Sequence, residues 1–150
     1  MTITDKNTII ISINPKWCEL IRSGLKVDEI RRTKPRIASY PVRVLIYETG
    51  GVGIIGEFEL RKFTYVQAWI DLDGEKHLGN TFFLQSCLTE QELFDYLYRD
   101  REIRPGKQYS GGWAWHIENL KIYDHPKPLS KFGLKRPPQS WCYGKIVFKE

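Results

Sequence analysis

From Asn14 to Arg31 the chain reads NPKWCELIRSGLKVDEIR, and the rest of the architecture is read from there. Asn14 followed by Pro15 predicts a helix start, with an Asx side chain to cap it and a proline where the missing N–H is not needed. Trp17, Leu20 and Ile21 fall on one helical face, and Gly24 supplies the stop, so the helix is short, about two to three turns. Lys26 to Thr33 then reads as extended chain, ending before the Lys34–Pro35 break. Glu29 and Arg31 are two apart on that segment and leave on the same face, while Lys26 sits in the turn after Gly24, where the backbone can redirect it.

Strands lie on both sides of this unit. Before it, Thr8 to Ile13 is an isoleucine-rich, β-branched run. After it, Val42 to Tyr47 reads as a buried strand, Gly50, Gly51 and Gly53 make a turn, and Ile54 to Leu60 returns as its hairpin partner. On the returning strand Ile55, Glu57 and Glu59 share one face, and Ile54, Phe58 and Leu60 share the other. The glycine turn has neither the lysine nor the helix context of a phosphate loop.

Further along, Asp71, Asp73 and Gly74 mark a turn inside Thr64 to Leu88, a region with no clear period. Thr89 and Glu92 form a capping box before a helix whose apolar face is Leu93, Phe94 and Leu97. Gly112 to Tyr123 is an aromatic strand, Lys127 to Pro138 an irregular basic loop, and Trp141 to Phe148 a closing strand. Many strands with two short helices, no internal repeat and no linker predict one domain over residues 1–150, a small α+β barrel.

Composition narrows the class. A hydrophobic fraction of 41% and a charged fraction of 27% are globular values and exclude wholesale disorder. The apolar run near the N-terminus is too short for a signal peptide, and no stretch is long enough to span a bilayer. Cys18, Cys87 and Cys142 are odd in number and far apart, which suits a reducing compartment. With His77, His116 and His125 they show no zinc spacing. The reading is a cytoplasmic protein with no metal, cofactor or membrane partner.

The formal net charge is +5. It gathers in two runs: Arg31, Arg32, Lys34 and Arg36, and then Lys127, Lys131, Lys135, Arg136, Lys145 and Lys149 with no acidic residue among them. Such runs beside aromatics fit phosphate contact. A Lys and an Arg flanking a carboxylate can hold a phosphate while the carboxylate accepts from a base amine or a ribose hydroxyl. Trp141 and Tyr143 follow the Arg136–Pro137–Pro138 turn, setting aromatic planes near positive charge, as single-stranded nucleic acid requires. Trp17 reads as core, and one of Trp113 and Trp115, which share a face, reads as core too. No nucleophile triad is legible around Ser140 or the histidines.

Residues 14–31, with Gly24, Lys26, Glu29 and Arg31 in a G-x-K-x-x-E-x-R pattern, resemble the signature of ASCH domains. The strand pair VRVLIYET and GIIGEFEL, and the closing WHIENLKIYDHPKPLSKFG and RPPQSWCYG, resemble further parts of bacterial and phage-type members. The resemblance implies a PUA-like β-barrel with two or three short flanking helices and a cleft beside the first helix. It also implies a role in binding RNA or nucleotides, with Lys16, Lys26, Glu29, Arg31, Arg136, Trp141 and Tyr143 as ligand-binding candidates. Some relatives are enzymes, among them an amidohydrolase acting on N4-acetylated cytidine, and others have been associated with ribonuclease activity. The alternative is therefore a small hydrolase using Lys26 with Glu29 or Glu57. The amidohydrolase subgroup carries a threonine where this chain has Glu29.

Overall fold

The structure is a computed structural model that describes residues 2–148. Its elements follow the order β1 (Thr2–Ile13), α1 (Pro15–Arg22), β2 (Asp28–Arg31), β3 (Val42–Glu48), β4 (Gly53–Leu60), β5 (Phe63–Ile70), β6 (Lys76–Gly79), α2 (Glu90–Leu97), β7 (Ser110–His116), β8 (Glu118–Lys127) and β9 (Trp141–Val147). Two 3-10 turns, Asp100–Glu102 and Leu129–Phe132, complete it. The class is α+β, as expected. The barrel does not close: the described strands form a five-stranded sheet, β8-β4-β3-β1-β9, and a separate four-stranded sheet, β2-β7-β5-β6. A closed barrel needs its last strands to pair with each other, and β8 and β9 instead end the five-stranded sheet.

Contacts divide the chain into two units. The first takes the chain up to Leu25, Arg36–Arg61 and the chain from Ile117. Here β1 is central, parallel to β3 and antiparallel to β9. A strand covered on both faces reads as a continuous apolar run, which is why Ile9, Ile10, Ile11 and Ile13 are all buried. On β4 the expected alternation holds at Ile54, Phe58 and Leu60, all buried. Ile55 is buried as well, because the register with β3 shifts there. One core of this unit joins Ile10, Leu45, Tyr47 and Ile54 to Tyr123, Leu129, Phe132 and Leu134.

Helix α1 begins where the sequence places it but without the expected side-chain cap. Asn14 Oδ1 instead accepts from Thr49 Oγ1 at 3.1 Å. The buried helix residues are Cys18 and Ile21, while Trp17 is only half-buried and carries Lys16 Nζ 4.5 Å from its ring centroid. The stop is a Schellman turn: Gly24, at φ +81°, donates to Ile21 O, and Leu25 N donates to Leu20 O, both at 3.1 Å.

The second unit takes Lys26–Pro35 and Lys62–His116. The region that lacked a clear period contains β5, β6 and the Asp71 turn, where Asp71 Oδ1 accepts from the backbone N–H of Asp73 and Glu75, both at 2.9 Å. The capping box at Thr89 and Glu92 is present in both directions. Leu93, Phe94 and Leu97 of α2 pack on Ile30, Val66, Ala68 and Ala114 of the sheet. Burying each of the larger side chains, the leucines, Phe94, Ile30 and Val66, contributes roughly 1.5–3 kcal/mol. Among the described residues, no helix is long and apolar enough to cross a membrane. Lys149 lies outside the described residues.

Candidate functional site

The residues after Gly24 build the site in the second unit. Strand β2 pairs antiparallel with β7, setting Glu29 opposite Trp115 and Arg31 opposite Trp113. β7 pairs in turn with β5, which puts Phe63 beside Trp115 and Tyr65 beside Trp113. Side chains alternate, so Glu29, Arg31, Trp113, Trp115, Phe63 and Tyr65 share one face of the sheet.

On that face the three charged groups of the signature meet. Glu29 Oε1 lies 3.4 Å from Lys26 Nζ and Glu29 Oε2 lies 3.0 Å from Arg31 Nη2. They meet as a buried cluster: Lys26 is 1% exposed, Glu29 5%, and only the Arg31 side chain, at 13%, reaches toward solvent. Lys26 Nζ also donates to Ser86 O at 2.6 Å. Ser86 is held in place because Val27 N and Asp28 N both donate to Gln85 O, at 3.0 and 3.1 Å. A buried ion pair persists only when further hydrogen bonds satisfy its remaining protons and lone pairs, and this backbone clip supplies one.

Around Arg31 the surface is aromatic and cationic. Tyr65 and Trp113 are half-buried, with ring centroids 4.9 Å apart. The exposed Lys34 places its Nζ 4.9 Å from the Trp113 centroid and 5.3 Å from that of Phe63. Trp115, by contrast, is fully buried, so of the two tryptophans on β7 the second is the core residue.

The other candidates belong to the first unit. Lys16 and Arg136 are exposed. Trp141 and Tyr143, opposite Ile11 and Ile9 on β9, pack edge to face at 5.5 Å. The Tyr143 hydroxyl accepts from Arg36 N at 3.0 Å, which ties the end of the first basic run to this strand. Glu57 is held by Arg43 through two hydrogen bonds, at 2.7 and 3.0 Å, and accepts from Tyr123 Oη at 2.7 Å. The Arg43 hydrogen bonds, with help from Tyr123, bring its carboxyl down to about 2. Burial and the bond to Glu57 push the Tyr123 hydroxyl up to about 12. A carboxyl ionised so far below neutrality does not exchange a proton readily at neutral pH.

Sequence reading missed Phe63, Tyr65 and the Gln85–Ser86 clip: Tyr65, Gln85 and Ser86 lie in the region without a readable period, and Phe63 stands at its edge. It also missed Asp28, whose partner His116 is distant in the chain; Asp28 and Glu29 leave β2 on opposite faces. Among the described residues, no group of three or more His, Cys, Asp and Glu is placed to hold a metal ion.

The sequence model of the ASCH domain matches residues 11–126, and the chain belongs to the ASCH domain family. Solved structures of ASCH from Zymomonas mobilis are similar to it. A serine-to-alanine mutant shares 23% identity at a TM-score of 0.64, covering 94% of this chain and 90% of that one. A tyrosine-to-phenylalanine mutant gives 22% and 0.62 over 91% and 89%, and the structure described simply as ASCH gives 23% and 0.58 over 93% and 88%. At this identity the likeness shows the fold. No curated protein sequence matches the chain.

Proposed function

We propose that the chain binds single-stranded RNA or a nucleotide on the β2–β7–β5 face of the second unit. The observation that carries this reading is the cationic and aromatic surface there: Arg31, set by Glu29 and opposite Trp113, with Lys34 over the same ring. A base stacks on the exposed side of Trp113 or Tyr65, and the guanidinium and ammonium take the adjoining phosphates. Lys26 and Glu29 act behind Arg31, fixing its direction. Lys16 and Arg136 add long-range attraction for a polyanion. Trp141 and Tyr143 are a second aromatic pair beside basic chain.

The paired, buried state of Lys26 and the Arg43-held carboxylate of Glu57 favour binding over hydrolysis by those groups. The test is fluorescence anisotropy with a labelled single-stranded RNA. Arg31→Ala and Trp113→Ala should each weaken binding by about tenfold or more, since a stacked base contributes roughly 1–3 kcal/mol. Equal affinity for wild type and both variants would remove the reading.

A further inference from the structure

On the opposite face of the same sheet, the start of β2 meets the end of β7 and the start of β5. Asp28 pairs with His116 across the two strands, and its Oδ1 takes a close hydrogen bond from His116 Nδ1. Asp28 is 2% exposed, and its Oδ2 accepts from Gln85 N at 2.8 Å, so the carboxylate cannot swing away. The second ring nitrogen, His116 Nε2, lies 2.7 Å from Thr64 Oγ1. A carboxylate only accepts, so the imidazole proton sits on Nδ1, and Nε2 of the neutral ring accepts from the threonine hydroxyl. Thr64 and His116 both face a cavity of about 320 Å³ whose other walls are Asn80, Phe82, Phe83 and Leu84. That volume is within the range of small-ligand pockets.

Hydroxyl, imidazole and buried carboxylate in a chain, ending on an apolar cavity, are the nucleophile, base and orienting group of acyl transfer. We infer that Thr64 is a nucleophile activated by His116 and Asp28, acting on a carboxylic ester with a small apolar acyl group. This is independent of the RNA-binding reading, which uses the other face of the sheet.

Thr64 Oγ1 attacks the carbonyl carbon while its proton passes to His116 Nε2, and the carbonyl π pair moves onto oxygen. The carbonyl re-forms as the C–O bond to the alcohol breaks, and the departing alkoxide takes the proton from Nε2. Water then attacks the acyl–threonine, giving its proton to Nε2, and the second collapse returns that proton to Thr64 Oγ1. The sum is ester plus water to acid plus alcohol. Asp28 holds the imidazole in its tautomer and stabilises the imidazolium between these steps. Asn80 Nδ2 donates one proton to Tyr65 O at 2.9 Å, and its second N–H on the cavity wall can serve the oxyanion. Phe82 and Phe83, 89% and 87% exposed and edge to face at 4.8 Å, form the apolar rim that admits the acyl group.

The test is p-nitrophenyl butyrate with the full chain, following p-nitrophenolate release and peptide mass. Wild type should show a burst with one butyryl group on the Thr64 peptide. Thr64→Val, nearly isosteric, should abolish the adduct, and His116→Gln should slow the burst by about 100-fold or more. Thr64→Ser should keep the adduct at the same position, so a fold effect in the valine variant does not confuse the result. No hydrolysis by wild type, butyryl groups on other residues only, or wild-type turnover in a natively melting Thr64→Val protein would each overturn the assignment.

Discussion

At the scale of single residues, the family signature is used twice, once for charge and once for burial. Lys26 and Glu29 are removed from water and answer each other, so neither can be lost alone without leaving the other's charge buried. Lys26→Met should cost about 3–5 kcal/mol in urea unfolding, and Lys26→Met with Glu29→Leu should recover part of that loss. A single-variant cost under about 1 kcal/mol would mean the pair is solvated.

Glu57 makes the opposite case, a carboxylate at the surface whose role is visible through pH. Arg43 and Tyr123 depress its pKa from 4.5 to about 2, so the stability it contributes is complete above 4.5 and lost as pH falls through about 2. The difference in unfolding midpoint between wild type and Glu57→Gln should be constant above that range and vanish in strong acid. A difference that instead grew on acidification would contradict the Arg43 pairing.

At the scale of elements, the two helices begin by different chemistry, α1 without a side-chain cap and α2 with one. α2 opens on a capping box, and Thr89→Ala should cost ~1 kcal/mol by urea unfolding. β7 depends on close backbone approach: a Cβ at Gly112 would meet Arg31 O and Leu97 Cδ2, both at 2.6 Å. Gly112→Ala should therefore destabilise more than Thr89→Ala, because it presses on β2 and α2 together. The measurement is the same denaturation series, and a smaller loss at Gly112 would be inconsistent with this packing. The capping box was legible because its two residues, Thr89 and Glu92, are three apart in sequence. Gly112 was not, because what crowds it comes from Arg31 and Leu97, which are distant in the chain.

At the scale of the whole molecule, a net charge of +5 gives the proposed nucleic-acid binding a salt dependence. The logarithm of the RNA association constant should fall linearly with the logarithm of salt concentration. Arg31→Ala should flatten that slope by about 0.7 if it removes one phosphate contact on a single strand. An unchanged slope would show that Arg31 does not touch phosphate.

Legible in the residues were the local signals: the proline at the start of α1, the glycine that stops it, the capping box of α2, the hairpin of β3 and β4, and the signature that marks an ASCH domain. These depend on neighbours within a few residues, where steric and hydrogen-bonding rules act directly. Long-range pairing set the rest: the described strands divide into two open sheets, Lys26 is buried with its ammonium on Ser86 O, and Asp28, His116 and Thr64 line up along one face. Each of those rests on pairing between segments far apart in the chain, and strand register across such distances leaves no periodic trace in the residues that obey it.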